Sequence, residues 1–186
     1  MSAAARKQAT FADLEALPAN VIGQIVLGVL HAHPRPAVPH ALAASALGEE
    51  LGPPFKRGRG GPGGWLILDE PELHLADDVL VPDLAGWRRE RMSEAPRTAF
   101  LSVSPDWVCE VLSPSTGSLD RCDKLKVYAR EAVTHVWLVD PLARTLEVLL
   151  LDGATHRILD VLSDDAKAHV VPFDAIELDL AVLWAG

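Results

Sequence analysis

The chain has 186 residues, 49% of them hydrophobic, and a formal net charge of −9 at pH 7. That length favours a single domain able to bury roughly 70% of its unfolded surface. The acidity excludes a protein that coats nucleic acid through overall positive charge, so contact with a polyanion would need a local basic patch or bound metal ions.

Residues 1–9 read as a disordered tail, leaving 10–186 as one domain. Thr10 is placed to N-cap a short helix from Phe11 to Leu17. Residues 21–30, rich in β-branched and apolar side chains, predict a strand. Asp13 and Glu15 lie upstream of it, where a signal peptide would be positive, so a secretory leader is not expected. A proline-rich connector, His31–Pro39, precedes a helix over His40–Leu51. The Gly52–Gly64 stretch is so dense in glycine and proline that a loop is expected. It ends in Trp65-Leu-Ile-Leu, not in the Gly-Lys-Ser/Thr of a phosphate-binding loop. Lys56, Arg57 and Arg59 make it locally basic, suited either to solvent or to a polyanion.

Strands are predicted at 65–68, 79–87 and 106–112, with an exposed arginine-rich loop at 88–97. Ser113–Ser118 reads as a linker and Asp120–Ala132 as a helix burying Leu125, Tyr128, Ala129 and Ala132. Further strands are expected at 135–139, 145–151 and 156–162, and the apolar segment Ile176–Trp184 should dock on the core. The order helix, strands, helix, strands points to an α/β (α+β) fold with a mixed sheet. Cys109 and Cys122, the only cysteines, read as reduced structural thiols, in keeping with a cytoplasmic protein. No apolar run approaches the roughly 18 residues that span a bilayer, so no membrane partner is expected.

Two carboxylates stand inside apolar strand patterns. Asp83 lies in Val79-Leu-Val-Pro-Asp-Leu-Ala85, and Glu110 in Trp107-Val-Cys-Glu-Val-Leu112. An ionised carboxylate among branched aliphatics costs several kcal/mol unless something compensates it. A divalent metal compensates strongly, and paired carboxylates with a lysine equip a site to cut a phosphodiester. The bland alternative pairs each carboxylate with an arginine at the rim of the sheet. Lys124 opens the next helical pattern. It could form an exposed ion pair with Asp120, or turn toward the carboxylates and stabilise charge on a phosphate. Lys126, the second candidate, lies about 200° around the helix.

Four ordered segments carry a resemblance: Val81-Pro-Asp-Leu-Ala85, Pro105-Asp-Trp-Val-Cys-Glu-Val-Leu-Ser-Pro-Ser-Thr116, Asp120-Arg-Cys-Asp-Lys124 and Val136-Trp-Leu-Val-Asp-Pro141. Together they resemble the Uma-type restriction endonuclease family of the PD-(D/E)XK nuclease superfamily, over roughly residues 10–150. The resemblance implies a restriction-endonuclease-like core, a mixed sheet flanked by helices. It implies that Asp83 and Glu110 are the two acidic motif residues. The superfamily lysine would stand at Leu112; the resemblance moves that role to Lys124. A glutamate common in the family's first strand is replaced by Gln24, which brings no charge. His40 matches a histidine often found there, and Glu72 could line the same site. A solvated turn is the favoured reading of the Glu70–Glu72 segment, and His74 is open to the same two readings.

The implied activity is magnesium- or manganese-dependent hydrolysis of nucleic acid, DNA being the favoured partner. Asp83, Glu110 and the backbone carbonyl of Val111 would hold the metal and Lys124 would orient a water. Lys56, Arg57, Arg59, Arg88, Arg89 and Arg91 would form a basic rim. A homodimer is expected, as for cutters of both strands. The competing readings are a nuclease fold that binds nucleic acid or protein without cutting, and a purely structural module whose carboxylates sit in ion pairs.

Overall fold

The computed structural model describes residues 8–185; most of the predicted N-terminal tail lies outside them. Helix α1 (Phe11–Glu15) starts where Thr10 and Asp13 form a reciprocal capping box: the Asp13 amide donates to the Thr10 hydroxyl and the Thr10 amide to the Asp13 carboxylate. The segment predicted as one strand is a hairpin, β1 (Val21–Val26) and β2 (Val29–Pro34). It turns at Leu27 and Gly28, both at positive φ, 51° and 77°. Gly28 advertises that turn but Leu27 does not, because leucine seldom adopts a left-handed backbone. The connector is correspondingly shorter than expected, since β2 runs to Pro34.

Helix α2 (Val38–Leu51) buries His40, Ala43, Leu47 and Leu51 along one face. It does not stop at the glycine and prolines that follow. A π-helical turn over Gly52–Lys56 continues it, with the Arg57 amide donating to the Gly52 carbonyl at 3.1 Å. Prolines fit there because the wide turn draws its donors from later residues. Arg59 donates to the Pro53 carbonyl and Gly63 to that of Pro54, so the expected loop is a tied structure.

Strands β3 (Trp65–Asp69), β4 (Leu73–Leu75), β5 (Asp78–Leu80) and β6 (Leu84–Arg88) follow. The strand predicted over 79–87 is therefore broken into β5 and β6, and Asp83 stands in the bend between them. β7 (Trp107–Val111) leads through a one-turn helix α3 (Gly117–Leu119), a π-helical turn (Asp120–Lys124) and α4 (Leu125–Arg130) to β8 (His135–Asp140). The long strands β9 (Thr145–Asp152) and β10 (Thr155–Ser163), the short pair β11 (Lys167–Ala168) and β12 (Leu178–Asp179), and helix α5 (Ala181–Trp184) complete the chain.

The main sheet has six strands in the order β10-β9-β8-β7-β6-β3; a smaller one has the order β2-β1-β5-β4. Only β7 and β8 pair in parallel in the main sheet, so it is mixed, as expected. Period-two alternation divides the core. Trp107, Cys109, Val111, Trp137 and Val139 face α2 and the C-terminal segment. Val108, Val136 and Leu138 face α4 and the small sheet. Leu178, Leu180 and Leu183 pack into the first core, as the apolar C-terminal pattern predicts. Leu125 is only half-buried, and Ala132 is exposed because α4 ends at Arg130 and Ala132 takes positive φ.

Candidate active site

Glu110 alternates with Cys109 and so points to the α4 side of the main sheet, where it is 1% exposed. Lys124, 2% exposed, meets it: Nζ lies 2.9 Å from Glu110 Oε2 and 3.0 Å from Asp120 Oδ1. The Tyr128 hydroxyl donates a short hydrogen bond to Glu110 Oε1. Asp120, Lys124 and Tyr128 are spaced by four residues, so they share one face of the helical segment. Asp120 and Lys124 thus form the anticipated ion pair, but in the interior, and the lysine also reaches Glu110. Arg121 anchors this turn to β9 through a bidentate pair with Glu147, at 2.8 and 2.6 Å. Lys126 is exposed and paired with Asp123.

Asp83 sits at the entry to β6, beside the end of β7. Its Oδ2 accepts from the Val111 amide at 2.6 Å, and its Oδ1 lies 3.2 Å from His40 Nε2. Val111 thus contributes an amide that orients Asp83. Burial draws the His40 imidazole down, but the hydrogen bond and charge of Asp83 outweigh it and hold it above its usual value. Burial pushes the Glu110 carboxyl up to about 8 against the pull of Lys124, with Asp120 and Asp83 adding to the rise. Burial also acts to lower Lys124, but the carboxylates around it prevail and hold its ammonium charged, above the usual lysine range.

Two cavities meet at Asp83. One, about 280 Å³, is lined by Gln24, His33, Glu110, Asp120 and Lys124 among others; the other, about 600 Å³, runs along α2 to Lys56 and Arg57. His40, Glu70 and Asp83 line both. Gln24 is buried, and its carboxamide oxygen accepts from the Val81 amide at 3.0 Å, so it braces the approach to Asp83. Glu72 lines neither cavity: it pairs with His74 at 2.6 Å, and that ring stacks on Phe100. Arg59 lines neither. Arg88, Arg89 and Arg91 lie at and beyond the far end of β6, roughly 15 Å along the strand from Asp83. Arg88 stands over the Trp65 ring, Arg89 holds the Ser93 carbonyl and Arg91 pairs with Asp106.

Glu70, Asp120, Tyr128 and His33 are the site residues that sequence spacing did not assign. Asp120, Lys124 and Tyr128 carry a readable four-residue period. Glu70 carries none, because only the register pairing Asp69 with Leu84 brings it next to Asp83. The free thiols divide: Cys109 is buried, where burial raises its pKa well above normal, and Cys122 is exposed.

The donor set suits a hard divalent cation. Asp83, Glu110 and Asp120 face one cavity with a single buried ammonium among them, an excess of carboxyl groups whose ionised form oxygen-seeking magnesium would favour. Among the described residues no three His, Cys, Asp or Glu side chains converge closely enough to enclose an ion alone. Magnesium tolerates this, since it keeps several waters and binds through one or two carboxylates. Among the described residues no helix is long and apolar enough to cross a membrane.

Comparison with solved structures gives a crystal structure titled "a putative nuclease belonging to DUF820" from Anabaena variabilis. It shares 20% identity, covers 95% of this chain and 97% of its own, and superposes with a TM-score of 0.77. That likeness shows the fold, an α+β nuclease-like architecture with a mixed sheet flanked by few helices. No curated protein matches the chain. A family model described as "Putative restriction endonuclease" matches residues 10–182, reaching past the four motif segments to the docked C-terminal helix. The chain therefore belongs to the Uma2 family of nuclease-like proteins that this model describes.

Proposed function

We propose that the protein is an endonuclease that hydrolyses phosphodiester bonds of nucleic acid, DNA in the first instance, with magnesium or manganese held by Asp83 and Glu110. The observation that carries this reading is the excess of buried carboxylate over ammonium around a cavity at the end of β7. The Val111 carbonyl is the third oxygen assigned to the ion. When bound, the cation would neutralise charge on the scissile phosphate and acidify a water.

The chain's own residues divide the remaining work. Lys124 has three N–H donors, and Glu110 and Asp120 use two of them. The third, without a partner among the described residues, can hold a non-bridging phosphate oxygen or an attacking water in the cavity. His40 and the Val111 amide fix the Asp83 carboxylate from two sides. Lys56 and Arg57, at the far end of the larger cavity, are suited to a flanking phosphate. Affinity for DNA should then fall steeply with salt. Cutting both strands would engage a homodimer, which light scattering on the purified protein tests directly.

The test is cleavage of plasmid and linear DNA with and without magnesium or manganese. Cleavage that needs the metal and disappears in Asp83→Ala and Glu110→Ala supports the proposal. A second reading, a nuclease fold that binds without cutting, draws on the uncharged Gln24 and on the raised Glu110 carboxyl. Metal-independent binding of nucleic acid with no cleavage of any substrate would favour it.

A further inference from the structure

Four carboxylates line the smaller cavity, Glu70, Asp83, Glu110 and Asp120. Three are engaged: Asp83 with His40 and the Val111 amide, Glu110 with Lys124 and Tyr128, Asp120 with Lys124. Glu70 has no hydrogen-bond or ion-pair partner for its side chain among the described residues. Its backbone is nonetheless fixed in place. The Glu70 amide donates to the Asp83 carbonyl at 2.9 Å, and the residue holds φ at 45°, in the left-handed region that a glutamate seldom adopts. Its charge is also felt at His40. Glu70 is exposed: its backbone is held beside Asp83, and its carboxylate, unpartnered among the described residues, lines both cavities where they join.

We infer that Glu70 is a catalytic residue, the general base for hydrolysis. This inference rests on the proposed phosphodiesterase function. The attacking water forms the new bond to phosphorus through its oxygen and passes one proton to the Glu70 carboxylate. The bond from phosphorus to the leaving oxygen breaks, and that oxygen takes its proton from solvent. Glu70 then returns its own proton to solvent. Asp83 and Glu110 serve less readily, because both are assigned to the cation and each of their oxygens already accepts one contact. Glu72, which sequence reasoning favoured over Glu70, is held by His74 and lines neither cavity.

The experiment compares Glu70→Gln, Glu70→Ala and Glu72→Gln with the wild type. Glu70→Gln should lose about 100-fold or more in kcat with KM little changed, the scale of a lost general base. The rise in melting temperature on adding manganese should persist, since Glu70 is not assigned as a ligand. Added formate should restore part of the rate of Glu70→Ala, and Glu72→Gln should cut normally. A Glu70→Gln protein that cuts at the wild-type rate, or a Glu70→Ala protein that formate does not rescue, overturns the inference and leaves the nuclease proposal intact. A wild type that cuts no nucleic acid overturns the proposed function, and the role of Glu70 with it.

Discussion

The two halves of the site are built on opposite principles. The half formed by Glu110, Lys124, Asp120 and Tyr128 is closed: each residue is at most 2% exposed, and each side chain is bonded within the group. The half formed by Asp83, His40 and Glu70 is open, with side chains that line both cavities and one carboxylate without a partner among the described residues. The closed half resembles an element of the core that happens to be charged. The open half resembles a surface awaiting a ligand. Removing a member of the closed half should therefore be felt first in stability, and removing a member of the open half first in chemistry.

The sharpest break is Lys124→Ala. It leaves Glu110 and Asp120 buried without their cation and should cost about 3–5 kcal/mol in denaturant unfolding, the scale for breaking a buried pair. A cost no larger than that of a surface mutation would show that the closed half opens to water. Tyr128→Phe keeps the ring in place but strips Glu110 of its hydroxyl donor, and should cost about 1–3 kcal/mol. Asp83→Asn belongs to the open half. It should change unfolding by about 1 kcal/mol or less, since the amide oxygen still accepts from Val111. It should nevertheless abolish stabilisation by manganese. The smallest expected effect is that of Gln24→Glu. Its oxygen can still brace the Val81 amide, while the added charge lowers stability without metal and enlarges the melting-temperature rise with it.

The same division governed what the sequence made legible. The closed half was half readable, since Lys124 and Glu110 stood out and the Asp120–Lys124–Tyr128 period was visible. Its burial was not, because a four-residue charge spacing looks alike on a wet or a dry helix face. The open half depends on register. Asp83 announced itself through its apolar neighbours, but the bend that frees it from a strand was hidden in a continuous apolar run. Of the neighbouring Glu70 and Glu72, the sequence favours Glu72. Only the pairing of β3 with β6 separates the one beside Asp83 from the one tied to His74. The same limit explains the fold's surprises. Leu27 turns the first hairpin with a backbone that leucine rarely adopts, and the π-helical turn at Gly52–Lys56 passes through residues that normally end a helix.

The central claim is that Asp83 and Glu110 share a divalent cation. The most direct test is a crystal structure of the protein grown with manganese, read from anomalous scattering. An ion peak coordinated by both carboxylates, with waters completing its shell, is the predicted result. A cavity without any peak, with Glu110 still bonded to Lys124 and Tyr128, would contradict it.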